Sequence, residues 1–209
     1  MASPPVLRPE DFGDDRPTAD ASVHGVVLAA GTSERYGDRN KLLASLDGES
    51  IVRHAVRALC ASPLDGVTVV LGHDADRVRN DLSSLPVSVV ENGRYRQGQG
   101  ASVATGVAAA RERGADAVLI ALGDMPHVSP DSIAGLLEAY RAGAGSALAA
   151  ACDGERGNPV VFDEQHFDAL AELDGDRGGR EILLSAPDAA LVETGDPGVL
   201  QDVDRPEDW

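Results

Sequence analysis

Short apolar runs alternate along this chain with longer segments of helical periodicity, and this alternation constrains the fold more than any other feature. Residues 24–30 (HGVVLAA) form the first run, and the runs at 67–71, 87–90 and 117–122 are each followed by a segment with helical spacing. Strands and helices that alternate in this way build βαβ units around a mostly parallel sheet. We therefore predict an α/β protein with a Rossmann-like three-layer α/β/α sandwich.

The same pattern sets the expected domain limits. Residues 1–22 are polar, acidic and rich in proline, which predicts a disordered acidic tail. Residues 23–209 are long enough for one domain with a single core. Further strands are predicted at 146–152, 159–162 and 190–192, and helices at 50–61, 74–82, 101–113, 130–141, 164–173 and 179–184.

The charge of the chain narrows the classes of partner. The formal net charge is −17, the acidic residues are dispersed, and Lys41 is the one lysine beside 17 arginines. A dispersed acidic surface of this kind is typical of halophilic proteins, and it disfavours nucleic-acid and membrane partners. The N-terminus lacks the basic and apolar regions of a signal peptide, and no apolar run is long enough to span a membrane. We expect a cytoplasmic protein.

The loop after the first strand carries the chemistry of a phosphate site. Ligands of parallel sheets bind beyond the carboxyl ends of the strands, where 28–43 (LAAGTSERYGDRNKLL) lies. Gly31 permits a turn whose successive N–H groups bind anions. Arg35 and Lys41 add positive charge, so the loop offers the donors that a triphosphate needs. It is neither a GxxxxGK[ST] loop nor a GxGxxG dinucleotide loop.

Asp124 follows the fourth predicted strand in the segment LIALGDMP at 119–126. A single carboxylate at such an edge can hold Mg²⁺, which keeps its other sites for water and substrate phosphates. The competing interpretation is an aspartate that only caps a turn.

Residues 28–43 and the GDMP segment closely resemble the signature of the molybdenum cofactor nucleotidyltransferases, a branch of the nucleotide-diphospho-sugar transferase-like superfamily. The resemblance extends in motif order over roughly 24–208. It implies one nucleotidyltransferase domain, with Arg35, Lys41 and Asp124 as catalytic residues and Mg²⁺ as cofactor. It further implies a metal site with Asp124 and either or both of Asp202 and Asp204, in a closing motif where Arg205 replaces the usual threonine.

The resemblance also assigns binding residues for both substrates. His73 lies near the region used for the base, but an exposed loop histidine is the better interpretation, and Gly179 departs from the family's usual alanine. The implied nucleotide-binding residues are Leu28, Ala29, Ala30, Gly31, Thr32, Ser33, Arg35, Lys41, Gly72, Asn92, Gly100, Ser102 and Asp124. The implied acceptor-binding residues are Asn158, Pro159, Asp176, Arg177 and Arg180.

The implied reaction is transfer of CMP from CTP to the phosphate of molybdenum-loaded molybdopterin, with release of pyrophosphate. Ala29-Ala30 favours cytidine, whereas the guanylyl branch typically has LAGG there. Three alternatives remain: a GTP-dependent guanylyltransferase, a relative acting on a sugar or polyol phosphate, and a nucleotide-binding module that delivers the cofactor without catalysis. Transient contact with a molybdoenzyme or its chaperone would follow from the molybdopterin acceptor.

Overall fold

A computed structural model describes residues 4–12, 18, 20–32 and 40–203, and within them an eight-stranded sheet forms the centre of the molecule. Its strands are β1 (Val6–Leu7), β2 (Val23–Ala29), β5 (Gly66–Leu71), β6 (Ser88–Glu91), β7 (Ala117–Leu122), β8 (Ala147–Cys152), β9 (Glu155–Asp163) and β10 (Ala190–Glu193), and a separate hairpin is formed by β3 (Ser45–Leu46) and β4 (Glu49–Ser50). The strand order in the sheet is β1-β10-β8-β9-β7-β2-β5-β6, and β9 is antiparallel to both of its neighbours while every other pair is parallel. The predicted mostly parallel sheet is confirmed.

Helices cover both faces of the sheet, so the three-layer α/β/α prediction is confirmed. One apolar cluster joins α1, α2 and α4 to one face, and a second joins α3, α5 and α6 to the other. Because both faces are covered, the central strand β2 is buried along its whole length, with all seven of its residues buried. The helices are α1 (Ile51–Cys60), α2 (Ala75–Leu82), α3 (Gln99–Glu112), α4 (Pro130–Arg141), α5 (Phe167–Ala171) and α6 (Arg180–Ser185).

Local signals in the sequence set the starts of two helices. The Ser50 hydroxyl accepts a hydrogen bond from the Arg53 N–H (3.3 Å) at the start of α1, and the Ser129 hydroxyl accepts one from the Ser132 N–H (3.1 Å) at the start of α4. Such caps satisfy N–H groups that have no partner inside the helix.

Among the described helices, none combines the length and apolar character needed to cross a bilayer.

The strand predicted at 159–162 is longer in the structure, where β9 runs from Glu155 to Asp163. A turn at Asp153 and Gly154 joins it to β8 as a hairpin. The extra residues at its start are three polar residues and Gly157, so the apolar run alone could not reveal them. They extend β9 to the edge of the sheet where β7 and β8 end.

The prediction of a disordered tail over residues 1–22 is wrong for part of the described segment. Val6–Leu7 forms β1, which pairs in parallel with Leu191 and Val192 of β10. Two apolar residues suffice here because the open edge of β10 supplies the backbone partners. A polar, proline-rich composition does not reveal so short an edge strand.

Candidate active site

A cleft of about 930 Å³ lies at the carboxyl edge of β2, β5 and β7. The loops after β5 and β7 are hydrogen-bonded to the end of the central strand: the His73 N–H donates to the Ala30 carbonyl (3.3 Å) and the Gly123 N–H to the Leu28 carbonyl (2.9 Å). These bonds fix three loops against one another at the cleft floor. The lining residues are Leu28, Ala29, Ala30, Gly31, Thr32, Lys41, Leu42, His73, Tyr95, Arg96, Gly98, Gln99, Ser102, Leu122, Asp124 and Asp176.

Lys41 and Asp124 form an ion pair across this cleft. The Lys41 Nζ donates to Asp124 Oδ2 at 2.6 Å, and the two side chains are only 14% and 21% exposed. The sequence separates them by 83 residues, and the adjacency of β2 and β7 brings them together. The cleft thus joins the predicted phosphate-binding loop to the predicted metal ligand.

Lys41 is held in place by its neighbours. It begins a 3-10 helix, Lys41–Leu43, and the Asn40 side chain accepts the Leu42 N–H at 3.0 Å. The Leu42 side chain is buried in the apolar cluster beneath the cleft. An anchored backbone on both sides of Lys41 directs its side chain into the cleft with little conformational freedom to lose on binding.

The segment that follows β10 is fastened beside Asp124. The Val203 N–H donates to the Asp124 carbonyl at 2.9 Å, which places Asp202, an exposed residue, next to the loop that carries Asp124. Asp196 accepts hydrogen bonds from the Ser129 N–H (2.9 Å) and the Gly198 N–H (2.8 Å), and so ties this segment to the start of α4. Over the described ranges, no group of three or more His, Cys, Asp or Glu side chains could hold a metal ion.

These contacts also determine the charge of Asp196. Burial opposes ionisation of its carboxyl group, but hydrogen bonds from Ser129, Ser132 and Gly198 outweigh that cost, and the pKa of Asp196 lies below its ordinary value. Asp196 therefore acts as an ionised anchor for the segment beside Asp124.

The start of α3 forms the opposite wall. Gly98 has a φ of 106°, and a Cβ there would lie 2.2 Å from the carbonyl carbon of Gly175. The Gly100 N–H donates to the Gly175 carbonyl at 2.9 Å. Only glycine permits this approach, which carries Asp176 to the cleft wall.

Asn92 lies behind this wall and does not line the cleft. Its Oδ1 accepts the Arg94 N–H (2.9 Å), which fixes the orientation of the amide, and its Nδ2 donates to the Ser102 Oγ (3.0 Å). Both Asn92 and Ser102 are buried. Because Ser102 accepts from Asn92, its own hydroxyl hydrogen is left to donate toward the cleft.

Several wall residues escaped the sequence analysis. The prediction that His73 is an exposed loop histidine is wrong, because it is half-buried in the wall with its ring 6.3 Å from that of Tyr95. The Arg96 guanidinium lies 5.7 Å from the Tyr95 ring centroid. Tyr95 and Arg96 belong to a 3-10 turn inside the segment at 92–102, so the position of that segment was the available signal.

Of the predicted nucleotide-binding residues, Leu28, Ala29, Ala30, Gly31, Thr32, Lys41, Ser102 and Asp124 line the cleft, while Asn92, Gly72 and Gly100 do not. Gly72 packs against Tyr95 and Ala30. Ser33, Arg35 and Asp204 lie outside the described residues.

The predicted acceptor-binding residues are not gathered in one place. Asp176 lines the cleft, whereas Asn158 and Pro159 contact a small apolar depression with Leu122 and Met125. Arg177 is exposed, and its guanidinium lies 3.9 Å from the Glu181 carboxylate.

Comparisons with known proteins place these features in context. The sequence profile described as "MobA-like NTP transferase domain" matches residues 25–190. Nicotine blue oxidoreductase of Paenarthrobacter nicotinovorans is 32% identical over 192 residues, which cover 88% of this chain and 93% of that protein. Purine catabolism protein PucB of Bacillus subtilis (strain 168) is 33% identical over 199 residues, with the same two coverages of 88% and 93%.

Among solved structures, Rv0371c from Mycobacterium tuberculosis H37Rv superposes with a TM-score of 0.77 at 27% identity, covering 90% of this chain and 95% of that chain. The same protein has been solved in complex with manganese, and that structure superposes with a TM-score of 0.72 at 25% identity over the same shares.

Proposed function

Because the chain belongs to the family of MobA-like NTP transferase domains and is a nucleotidyltransferase, we propose that it transfers CMP from CTP to the phosphate of molybdenum-loaded molybdopterin. The observation that carries this proposal is the Lys41–Asp124 pair inside the cleft at the carboxyl edge of the sheet. The resemblance of residues 28–43 and GDMP to the molybdenum cofactor branch supports the acceptor.

The chemistry requires positioning more than a strong base. The acceptor phosphate is already anionic, so its oxygen attacks the α-phosphorus of CTP while the bond to the bridging β-oxygen breaks and pyrophosphate leaves. Catalysis of this kind depends on alignment and on neutralising phosphate charge. Lys41 and the amides of the loop beginning at Gly31 would hold the triphosphate and stabilise the charge that grows on the leaving group. Arg35 has the same proposed role.

Mg²⁺ is the proposed metal, and the residues at the cleft fit it. Asp124 presents a carboxylate in the cleft, and the Val203–Asp124 backbone bond keeps Asp202 beside it. Mg²⁺ is usually held by one or two carboxylates and otherwise by water and phosphate oxygens. When bound, the ion would neutralise charge on the phosphates. Asp204 is a further proposed ligand, and the manganese complex of Rv0371c supports a divalent ion in this fold.

The wall of the cleft supports a base with a carbonyl group. Ser102 lines the cleft, and its hydroxyl is oriented by Asn92 to donate a hydrogen bond. Cytosine and guanine present a carbonyl oxygen to such a donor, whereas adenine does not. Ala29-Ala30, by resemblance, then favours CTP over GTP.

The test is pyrophosphate release with each of CTP, GTP, ATP and UTP, in the presence of Mg²⁺, high salt and molybdenum-loaded molybdopterin. The proposal expects release that requires both CTP and the pterin. A preference for GTP would assign the guanylyl reaction instead, and release with sugar phosphates alone would refute the acceptor. The name nicotine blue oxidoreductase denotes a redox reaction, which would consume no NTP. Pyrophosphate release therefore also distinguishes a nucleotidyltransferase from an oxidoreductase.

Variants test the assigned roles. Asp124→Ala is expected to abolish release while leaving nucleotide binding without metal detectable, because the triphosphate contacts lie mainly on the first loop. Asp76→Ala is the matched control, since Asp76 is an exposed carboxylate on α2 that pairs with Arg79. Equal loss in both variants would argue against a metal role for Asp124.

A further inference from the structure

A second pocket, of about 420 Å³, lies at the edge of the sheet opposite to the active-site cleft. It opens where β2, β5 and β6 begin and where α3 ends, whereas the cleft lies at the ends of β2 and β5 and at the start of α3. The seven residues of β2 separate the two by roughly 20 Å. Its polar lining comes from His24, Asp65, Ser88 and Arg113. Ligand pockets typically combine such a volume with a few converging polar groups.

The register of the strands gathers these polar groups on one face of the sheet. His24 of β2 is paired with Gly66 of β5, and Thr68 of β5 is paired with Ser88 of β6. Because side chains two residues apart on a strand share a face, His24, Thr68 and Ser88 all lie on the face against which α3 packs. Arg113, which follows directly after α3, reaches the pocket from that helical layer.

The contact between His24 and Thr68 determines which imidazole nitrogen carries the hydrogen. The His24 Nε2 lies 2.8 Å from the Thr68 hydroxyl, and both residues are buried, His24 with 5% of its surface exposed. Among the described residues, the Thr68 hydroxyl has no other hydrogen-bond partner, and a buried hydroxyl hydrogen without an acceptor is unfavourable. The hydroxyl therefore donates to Nε2, and the hydrogen of the neutral imidazole lies on Nδ1.

The Nδ1–H group of His24 has no acceptor within the described part of the chain, and it lies at the pocket. A Cβ on Gly66 would be 3.0 Å from Cε1 and 3.2 Å from Nδ1 of His24, so this edge of the ring lies over Gly66, which itself lines the pocket. Burial lowers the pKa of His24, Arg113 lowers it further, and Asp65 raises it to a smaller extent. The imidazole is therefore neutral at neutral pH and offers one N–H donor to a ligand.

Arg113 and Asp65 add one positive and one negative charge to the pocket. The Arg113 guanidinium donates to the Ala109 carbonyl (2.8 Å), and Asp65 Oδ2 accepts the Val23 N–H (2.8 Å), so the backbone holds both charged groups. Neither side chain forms an ion pair with the other or with any further described residue. The remaining guanidinium N–H groups and the Asp65 Oδ1 are thus left for a ligand.

We propose that this pocket binds a small zwitterion of the α-amino acid type. Its carboxylate would accept hydrogen bonds from Arg113 and from the Nδ1–H of His24, a pairing in which the planar guanidinium group is especially effective. Its ammonium group would donate to Asp65. A free anion would be repelled by Asp65 and by the net charge of −17, and a free cation by Arg113, whereas a zwitterion complements both charges.

The apolar part of the lining favours an amino acid with an aliphatic side chain. Val67, Leu85 and Val87 contribute this wall beside the polar groups. The pocket shares no lining residue with the active-site cleft, so the proposed ligand is neither the nucleotide nor its acceptor.

The first experiment titrates the full-length protein with L-valine, without nucleotide or metal, and follows His24 by NMR of the imidazole nitrogens. We expect the Nδ1–H tautomer before addition and a saturable shift of the His24 signals on binding. Isovalerate lacks only the ammonium group of valine, and isobutylamine lacks only the carboxylate. Each should bind at least roughly 10-fold more weakly, because each loses a charge-assisted contact. Absence of a saturable shift, the Nε2–H tautomer, or equal affinity for isovalerate would overturn the proposal.

Variants at the rim of the pocket test the two charges. Arg113→Gln and Asp65→Asn should each weaken L-valine binding roughly 10-fold, and an asparagine at 65 can still accept the Val23 N–H. Arg111→Gln is the matched control, since it removes an equal charge from the same helix but from a pair with Asp168. Unchanged binding in both pocket variants, or an equal loss in Arg111→Gln, would refute the site. None of these measurements involves an NTP, so their outcome is independent of the proposed function.

Discussion

Substitution of Lys41 by methionine should strengthen metal binding in the absence of nucleotide. The Lys41 Nζ lies 2.6 Å from Asp124 Oδ2, the carboxylate proposed to hold Mg²⁺. A metal ion on that oxygen must displace the ammonium group. A triphosphate gives Lys41 another anionic partner, so nucleotide binding would release Asp124 for the metal. Lys41 would thereby make metal binding depend on nucleotide binding.

The size of the effect follows from the ion pair itself. Hydrogen bonds to charged groups contribute about 1.5–3 kcal/mol net, and the low exposure of both side chains argues against a weaker, surface-type value. Because each 1.4 kcal/mol changes affinity tenfold, Lys41→Met should tighten Mn²⁺ binding by roughly 10- to 100-fold. The same substitution should weaken binding of the triphosphate.

The assay is titration of the nucleotide-free protein with Mn²⁺, with the free ion followed by electron paramagnetic resonance. Arg96→Gln is the matched control, because Arg96 lines the same cleft but stacks on Tyr95 and has no described contact with Asp124. Both substitutions remove a positive charge and so raise the electrostatic attraction of the cleft for a cation. Only Lys41→Met also removes the ammonium group that competes with the metal for Asp124. Equal gains in the two variants would refute direct competition.

Three further predictions concern the walls of the cleft and the segment beside Asp124. Ser102→Ala should raise the KM for CTP roughly tenfold in the pyrophosphate assay, because one buried hydrogen bond contributes about 1–1.5 kcal/mol. Gly98→Ala should lower stability by about 1–3 kcal/mol in denaturant unfolding, since its φ of 106° and the contact with Gly175 exclude a Cβ. The lowered pKa of Asp196 means that its stabilising effect is present at neutral pH and lost as the pH falls below about 3.9 through the folded-state pKa. Unfolding midpoints followed from neutral to acidic pH should therefore fall less steeply in Asp196→Asn than in the wild type.

The architecture was predictable because the inner strands are buried on both faces. A strand such as β2 then appears as an uninterrupted apolar run, and the residue after it falls at the ligand-binding edge of a parallel sheet. That reasoning located Lys41 and Asp124 independently, 83 residues apart, and the structure joins them at 2.6 Å.

The positions of side chains in the loops were harder to predict from the sequence. Asn92 belongs to the right motif, but whether its amide faces the cleft or the Ser102 hydroxyl depends on the turn that follows β6. Tyr95 and His73 meet only because two loops cross at the end of β5. The polar start of β9, which carries Arg156, lies outside the apolar run that reveals the strand. Each of these positions depends on tertiary contacts that no local spacing encodes.

The distribution of charge explains how so acidic a chain could bind polyanions. A net charge of −17 repels a nucleotide at long range, so the attraction has to be local. Six described arginines form ion pairs with carboxylates, most of them on the surface, whereas Lys41 and Arg96 line the cleft. High salt screens exposed charges over about 3 Å at 1 M, but it affects partly buried pairs much less. In a salt-rich solution the long-range repulsion would therefore fade while Lys41 and Asp124 kept their interaction, which makes the acidic surface compatible with phosphate chemistry in the cleft.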